Sequence, residues 1–170
     1  VLGERDGEVE STIDGGDSFD ESELMGIALQ EARAALAHDD VPVGALVVHR
    51  ADGAVLARRH NERELSGDPT AHAELLAIAD AAREREGWRL DDCALVVTLE
   101  PCPMCAGAAL AARIPLVVFG AADPKAGALG SLYHFGSDPR LHHGIDVRDG
   151  VRAEESSTLL KEFFAGRRLQ

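Results

Sequence analysis

Two short stretches carry the residue types that do chemistry. In Asp68-Pro69-Thr70-Ala71-His72-Ala73-Glu74 a histidine stands two positions before a carboxylate, and in Glu100-Pro101-Cys102-Pro103-Met104-Cys105 two cysteines stand three apart. One imidazole and two thiols make a donor set suited to zinc. A structural zinc site closes its tetrahedron with four protein ligands, whereas a catalytic one offers three and leaves a corner for water. The chain has three cysteines, and the third, Cys93, opens an apolar run that reads as a buried strand. With Cys93 in the core, the expected site is one zinc per chain held by His72, Cys102 and Cys105. Glu74 lies beside its open position as a proton carrier.

These residues need particular elements to bring them together. Cys102 and Cys105 share one face of a helix. Pro101 and Pro103 mark its first turn, where the missing N–H costs nothing and the remaining N–H groups favour thiolate. His72 and Glu74 would diverge by about 200° on a regular helix. His72 is therefore expected at the very start of the helix that carries Glu74, led in by Pro69 and Thr70.

The remaining sequence supplies a scaffold for such a site. Apolar residues at helical spacing predict a first helix over 22–37, including Leu24, Met25, Ile27, Ala28, Leu29, Ala32 and Leu36. Strands are expected over 41–48 and 54–60 around an Asp52-Gly53 turn, then over 93–99 and 115–120, with a short edge strand within 145–151. Helices over 73–85, 103–112 and 154–168 fall between or after them. Strands alternating with helices predict an α/β fold, a three-layer sandwich whose central sheet is mixed and has helices on both faces. Asn61 ends the second strand close to the zinc helix, where an amide that both donates and accepts can read a base edge. The Gly-rich run 121–132 is expected as a loop with close backbone approach. Trp88 is expected to cap the core, and His142-His143 to lie in an exposed loop.

The net charge is −13, of which nine acids against Arg5 put −8 in the first 23 residues. Residues 1–20 are expected to form an acidic, disordered tail and 21–170 the zinc-bearing domain. The remainder is not basic, so a polyanionic substrate must be met by a local patch. Arg167-Arg168, beside Phe163-Phe164, are candidates for such a contact. With two cysteines committed to metal, no pair is left for a disulfide, which points to a reducing cytoplasm. No apolar stretch approaches the roughly 20 residues of a membrane span.

His-x-Glu followed by Pro-Cys-x-x-Cys is the signature of zinc nucleobase deaminases, a match rather than a deduction from spacing. The chain resembles bacterial tRNA-specific adenosine deaminases from about Val41 to Arg168. The shared stretches are Val-Pro-Val-Gly-Ala, Asp-Pro-Thr-Ala-His-Ala-Glu, Thr-Leu-Glu-Pro-Cys-Pro-Met-Cys-Ala-Gly-Ala and Gly-Ala-Leu-Gly-Ser-Leu. The resemblance implies a cytidine deaminase-like fold, zinc on His72, Cys102 and Cys105, and Glu74 as proton shuttle. It also implies Asn61 as a purine-recognition residue and Asp123 on a wall near the nucleotide. The substrate it implies is the wobble adenosine of a tRNA anticodon stem-loop, converted to inosine by a homodimer. A guanine or other free-base deaminase shares the His-Ala-Glu and Pro-Cys-Pro-Met-Cys elements and is the second reading. A noncatalytic RNA-binding subunit of the same fold is the third, and the presence of Glu74 argues against it.

Overall fold

Residues 44–48, 93–97 and 116–121 are apolar on both sides of the strand, so a sheet built from them needs cover on both faces. The computed structural model describes residues 17–168. Its elements run α1 (Glu21–Ala34), β1 (Gly44–His49), β2 (Val55–His60), α2 (Arg63–Ser66), α3 (Ala73–Glu84), β3 (Cys93–Leu99), α4 (Pro103–Ala111), β4 (Leu116–Ala121), β5 (Asp146–Arg148) and α5 (Ala153–Arg167). The sheet order is β2-β1-β3-β4-β5. The pairs β2–β1 and β1–β3 are antiparallel, and β3–β4 and β4–β5 are parallel. The mixed three-layer sandwich expected from the sequence is the one that forms.

Strand alternation divides the core in two. Ala45, Val47, Leu95, Val97, Val117 and Phe119 face Ala77, Ile78 and Ala81 of α3 and Ala106 and Ala109 of α4. Leu46, Val48, Ala94, Val96, Leu116 and Val118 face Leu24, Met25, Ala28, Leu29 and Ala32 of α1, with Leu159 of α5. The α1 layer lies so close that a Cβ on Gly44 would come within 2.0 Å of the Ala28 carbonyl oxygen, so only glycine fits there. The parallel β3–α4–β4 unit directs the carboxyl ends of both strands, and the amino end of α4, to one edge of the molecule.

Three expectations change. The first helix is α up to Ala34 and then tightens into a 3₁₀ turn at Ala35–His38, leaving Leu36 44% exposed rather than inward. The tail boundary at residue 20 falls inside ordered contacts. Asp20 caps α1 by accepting from the Ser22 and Glu23 N–H groups, and Asp17 bridges Arg50 and Arg148. Residues 1–16 of the expected tail lie outside the described residues. Trp88 does not cap the core. It is 58% exposed, with the Arg89 and Arg113 guanidiniums 5.4 and 5.8 Å from its ring. An indole with two cations over it is satisfied at the surface. His142 is exposed, as expected, whereas His143 is half-buried.

Candidate active site

His72 is the N-cap of α3, with extended backbone (φ −76°, ψ 146°), and Glu74 lies in the first turn. The break in backbone conformation at His72 removes the divergence that a regular helix would impose on the two side chains. Cys102 is likewise the N-cap of α4, followed by Pro103 in the first turn and Cys105 inside it. The two helix starts meet. One ligand atom each from His72, Cys102 and Cys105 lies within 4.8 Å of the others.

The spacing is that of a zinc tetrahedron. His72 Nδ1 is 3.7 Å from Cys102 Sγ and 3.5 Å from Cys105 Sγ. Zinc–sulfur and zinc–nitrogen bonds of usual length at a tetrahedral angle give an N···S edge of about 3.5 Å. The protonation chemistry agrees. A hydrogen bond from Cys105, with His72 alongside, outweighs burial and brings the Cys102 thiol down to about 4. Cys105 is driven upward by that same bond to Cys102 and by burial. His72 is raised by its hydrogen bond to Cys102. Three ligands competing for protons, with Cys105 buried and His72 and Cys102 half-buried, is the condition a divalent cation relieves.

Glu74 is 4% exposed, and burial, opposed in part by His72, raises its carboxyl to about 7. It lines a pocket of about 140 Å³ with His72, Cys102, Asn61, Arg63, Glu100, Asp123, Ala126, Val41, Val43 and Leu99. A cavity of roughly 150 Å³ accepts one benzene ring, so this one has room for one ring of a base and none for a stacked pair.

The site residues named from sequence all border this pocket except Cys105, which is buried beneath it. Asn61 is already engaged. Its Oδ1 accepts from the Ala73 N–H at 2.9 Å, and its Nδ2 donates to the Val41 carbonyl at 3.1 Å. One amide hydrogen and one lone pair of Oδ1 remain without a partner among these bonds. Asp123 turns its own loop by accepting from the Lys125 and Ala126 N–H groups. The sequence reading missed Arg63 and Glu100. Arg63 is carried on α2, which Asp40 holds by accepting from the Glu64 and Leu65 N–H groups. Its signal was a cation just before the zinc helix of an acidic chain. That of Glu100 was a carboxylate directly after a largely apolar strand.

A three-ligand metal site opening on a base-sized pocket, with a buried carboxylate beside it, defines a zinc-dependent nucleobase deaminase. Residues 19–121 match the family model described as the cytidine and deoxycytidylate deaminase zinc-binding region. The tRNA-specific adenosine deaminase of Haemophilus influenzae is 45% identical over 150 residues, covering 88% of this chain and 86% of that protein. A structure from studies of A-to-I editing by tRNA:A34 deaminases superposes with a TM-score of 0.78 at 45% identity, covering 82% of this chain and 99% of the other. A guanine deaminase from Nitrosomonas europaea gives 0.72 at 30% identity, covering 85% and 84%. The chain belongs to the cytidine and deoxycytidylate deaminase zinc-binding family, among its tRNA-specific adenosine deaminases.

Proposed function

We propose that this enzyme hydrolyses the 6-amino group of the wobble adenosine in a tRNA anticodon loop, giving inosine and ammonia. The observation that carries this reading is the base-sized pocket in which Glu74 lies beside the ligand set His72, Cys102 and Cys105. His72, Cys102 and Cys105 would hold the zinc, whose chemistry when bound would be to make a water acidic enough to act as a nucleophile near neutral pH. Glu74 would take one proton from the attacking water and deliver it to the ring nitrogen, then take the second from the hydroxyl added at C6 and pass it to the amine, which leaves as ammonia as the C6–N bond breaks and the 6-oxo group forms. Asn61 donates its remaining amide hydrogen to the purine, and Asp123 with Ala126 forms the wall beside it. Residues 21–170 act as the catalytic domain, and the acidic amino-terminal stretch as an extension to it.

An adenosine must leave its stack to enter, which favours a loop over a duplex. A groove of about 510 Å³ is lined by Lys125, two residues after Asp123, and by Lys161, Arg167 and Arg168 together with Phe164. Such a local basic strip suits phosphates on a chain of net charge −13. Arg167 also contacts the Asp39 carbonyl oxygen and carboxylate, at 2.5 and 3.0 Å, and lies over Phe163.

The functional unit is a homodimer. Pro103-Met104-Cys105-Ala106-Gly107-Ala108-Ala109-Leu110-Ala111 gives α4 no polar face, yet Met104 is 36% exposed and a Cβ on Gly107 would meet nothing within 4 Å. A helix apolar all round calls for cover on every side. The cytoplasm is the compartment that suits a tRNA substrate and three free cysteines. Among the described residues no helix is long and apolar enough to cross a membrane.

Incubation of the zinc-loaded protein with an anticodon stem-loop RNA, read by inosine sequencing, tests the reading. The Nitrosomonas guanine deaminase likeness motivates a parallel arm with free guanine. Ammonia from guanine and no inosine in RNA overturns the proposal in favour of a free-base deaminase.

A further inference from the structure

Glu100 is a charged side chain only 2% exposed, directly before Pro101 and two residues before the metal ligand Cys102. Its Oε1 accepts from the Leu129 N–H at 3.1 Å and the Ser131 N–H at 3.0 Å. Its Oε2 accepts from the Asp123 N–H at 2.9 Å and from the Ser131 hydroxyl. All four donors belong to the 121–132 loop, so the carboxylate is solvated by one segment of the chain far from it in sequence. A Cβ on Gly127 would fall 2.3 Å from that carboxyl group, so the loop closes over it only with glycine there. Two backbone bonds complete the clamp, from the Glu100 N–H to the Ala121 carbonyl and from the Ala128 N–H to the Pro101 carbonyl, each 2.8 Å.

We infer that Glu100 is a positioning residue that fixes the Asp123–Ala126 wall of the pocket at a set distance from the metal ligand Cys102. The inference rests on the reading of the pocket as the substrate site. One side of that pocket comes from zinc-ligand segments, and the other from a Gly- and Ala-rich loop whose polar backbone has few side chains of its own to anchor it. Glu100 ties the two together. Its loss would free the wall without touching His72, Cys105 or Glu74, so substrate seating suffers before the chemical step does.

Glu100→Gln keeps the volume but leaves one acceptor oxygen and turns an NH₂ group toward N–H and O–H donors. Hydrogen exchange at residues 123–131, zinc content, and KM and kcat on an anticodon stem-loop RNA are the readouts. Loss of charged hydrogen bonds predicts exchange at Asp123, Leu129 and Ser131 faster by about tenfold or more, and KM up by about tenfold. Zinc stays at one equivalent, and kcat changes less than KM. Unchanged exchange, loss of zinc, or a fall in kcat at constant KM each overturns the inference. If Glu100→Gln does not fold, Ser131→Ala removes a single donor from the loop side and is expected to shift exchange and KM the same way by less; no shift overturns it. Exchange and zinc content need no substrate, so failure of the wild-type protein to edit RNA is told apart from failure of the clamp.

Discussion

A carboxylate that is 4% exposed and raised to about 7 can both take and return a proton near neutral pH, which is the task the mechanism gives Glu74. Glu74→Gln preserves the size of the group and leaves all three metal ligands in the chain, although the Glu74 carboxyl is hydrogen-bonded to Cys105. The variant is expected to bind one zinc and to lose about 10²- to 10⁴-fold in deamination rate, the usual contribution of a general acid–base group. Metal analysis beside a single-turnover assay checks it, and a variant with zinc and near-normal turnover refutes the role. Glu74 was legible from sequence because a carboxylate two residues from a metal-binding histidine has a chemical reason to be there. Glu100 was not, since its donors lie 23 to 31 positions away and nothing at Glu100 itself names them.

Among the elements, helix starts organise this protein. Both zinc helices begin on a metal ligand, His72 for α3 and Cys102 for α4, in place of an oxygen-bearing cap. α1 begins conventionally, on Asp20, with the side chain accepting from Ser22 and Glu23 at 2.9 and 3.1 Å. Composition assigned Asp20 to the acidic tail, because a capping aspartate and a solvated one look alike until the following helix is fixed. Asp20→Ala is expected to lower stability by about 1 kcal/mol, as loss of an N-cap does. Urea unfolding, followed through its midpoint at constant m-value, measures this; an unchanged midpoint would return Asp20 to the tail.

At the scale of the molecule, Asp17 joins the amino-terminal segment to two distant parts of the sheet, pairing with Arg50 after β1 and Arg148 on β5. Burial alone would raise its carboxyl, but the two guanidiniums win and hold it below its ordinary 3.8. A carboxylate depressed in the folded state contributes stability that is fully present above its unfolded pKa. That contribution disappears as pH falls through the folded one. The wild-type protein should therefore lose stability relative to Asp17→Asn as pH falls below about 4, seen as converging melting temperatures across an acid series. Parallel curves would exclude the linkage. The proposed homodimer is tested at the same scale. Met104→Glu puts a charge on the apolar outer face of α4 and is expected to shift sedimentation from dimer toward monomer, whereas an unchanged dimer moves the interface elsewhere.

The sequence by itself determined the metal ligand set, the carboxylate that stands beside it, most of the strands and helices, and their layering. Ligand chemistry, proline at helix starts and apolar periodicity are local properties that neighbouring residues disclose. Only the tertiary structure decided how these parts are held at working distance. It engaged half of the hydrogen bonding of the Asn61 amide with Ala73 and Val41, brought Arg63 to the pocket, locked the 121–132 loop onto Glu100, drew Asp17 and Asp20 out of the tail, and left Trp88 at the surface under two arginines. Each of those outcomes depends on which groups meet across the fold, and a side chain's partner in a folded chain is set by the packing of whole elements rather than by its neighbours in sequence.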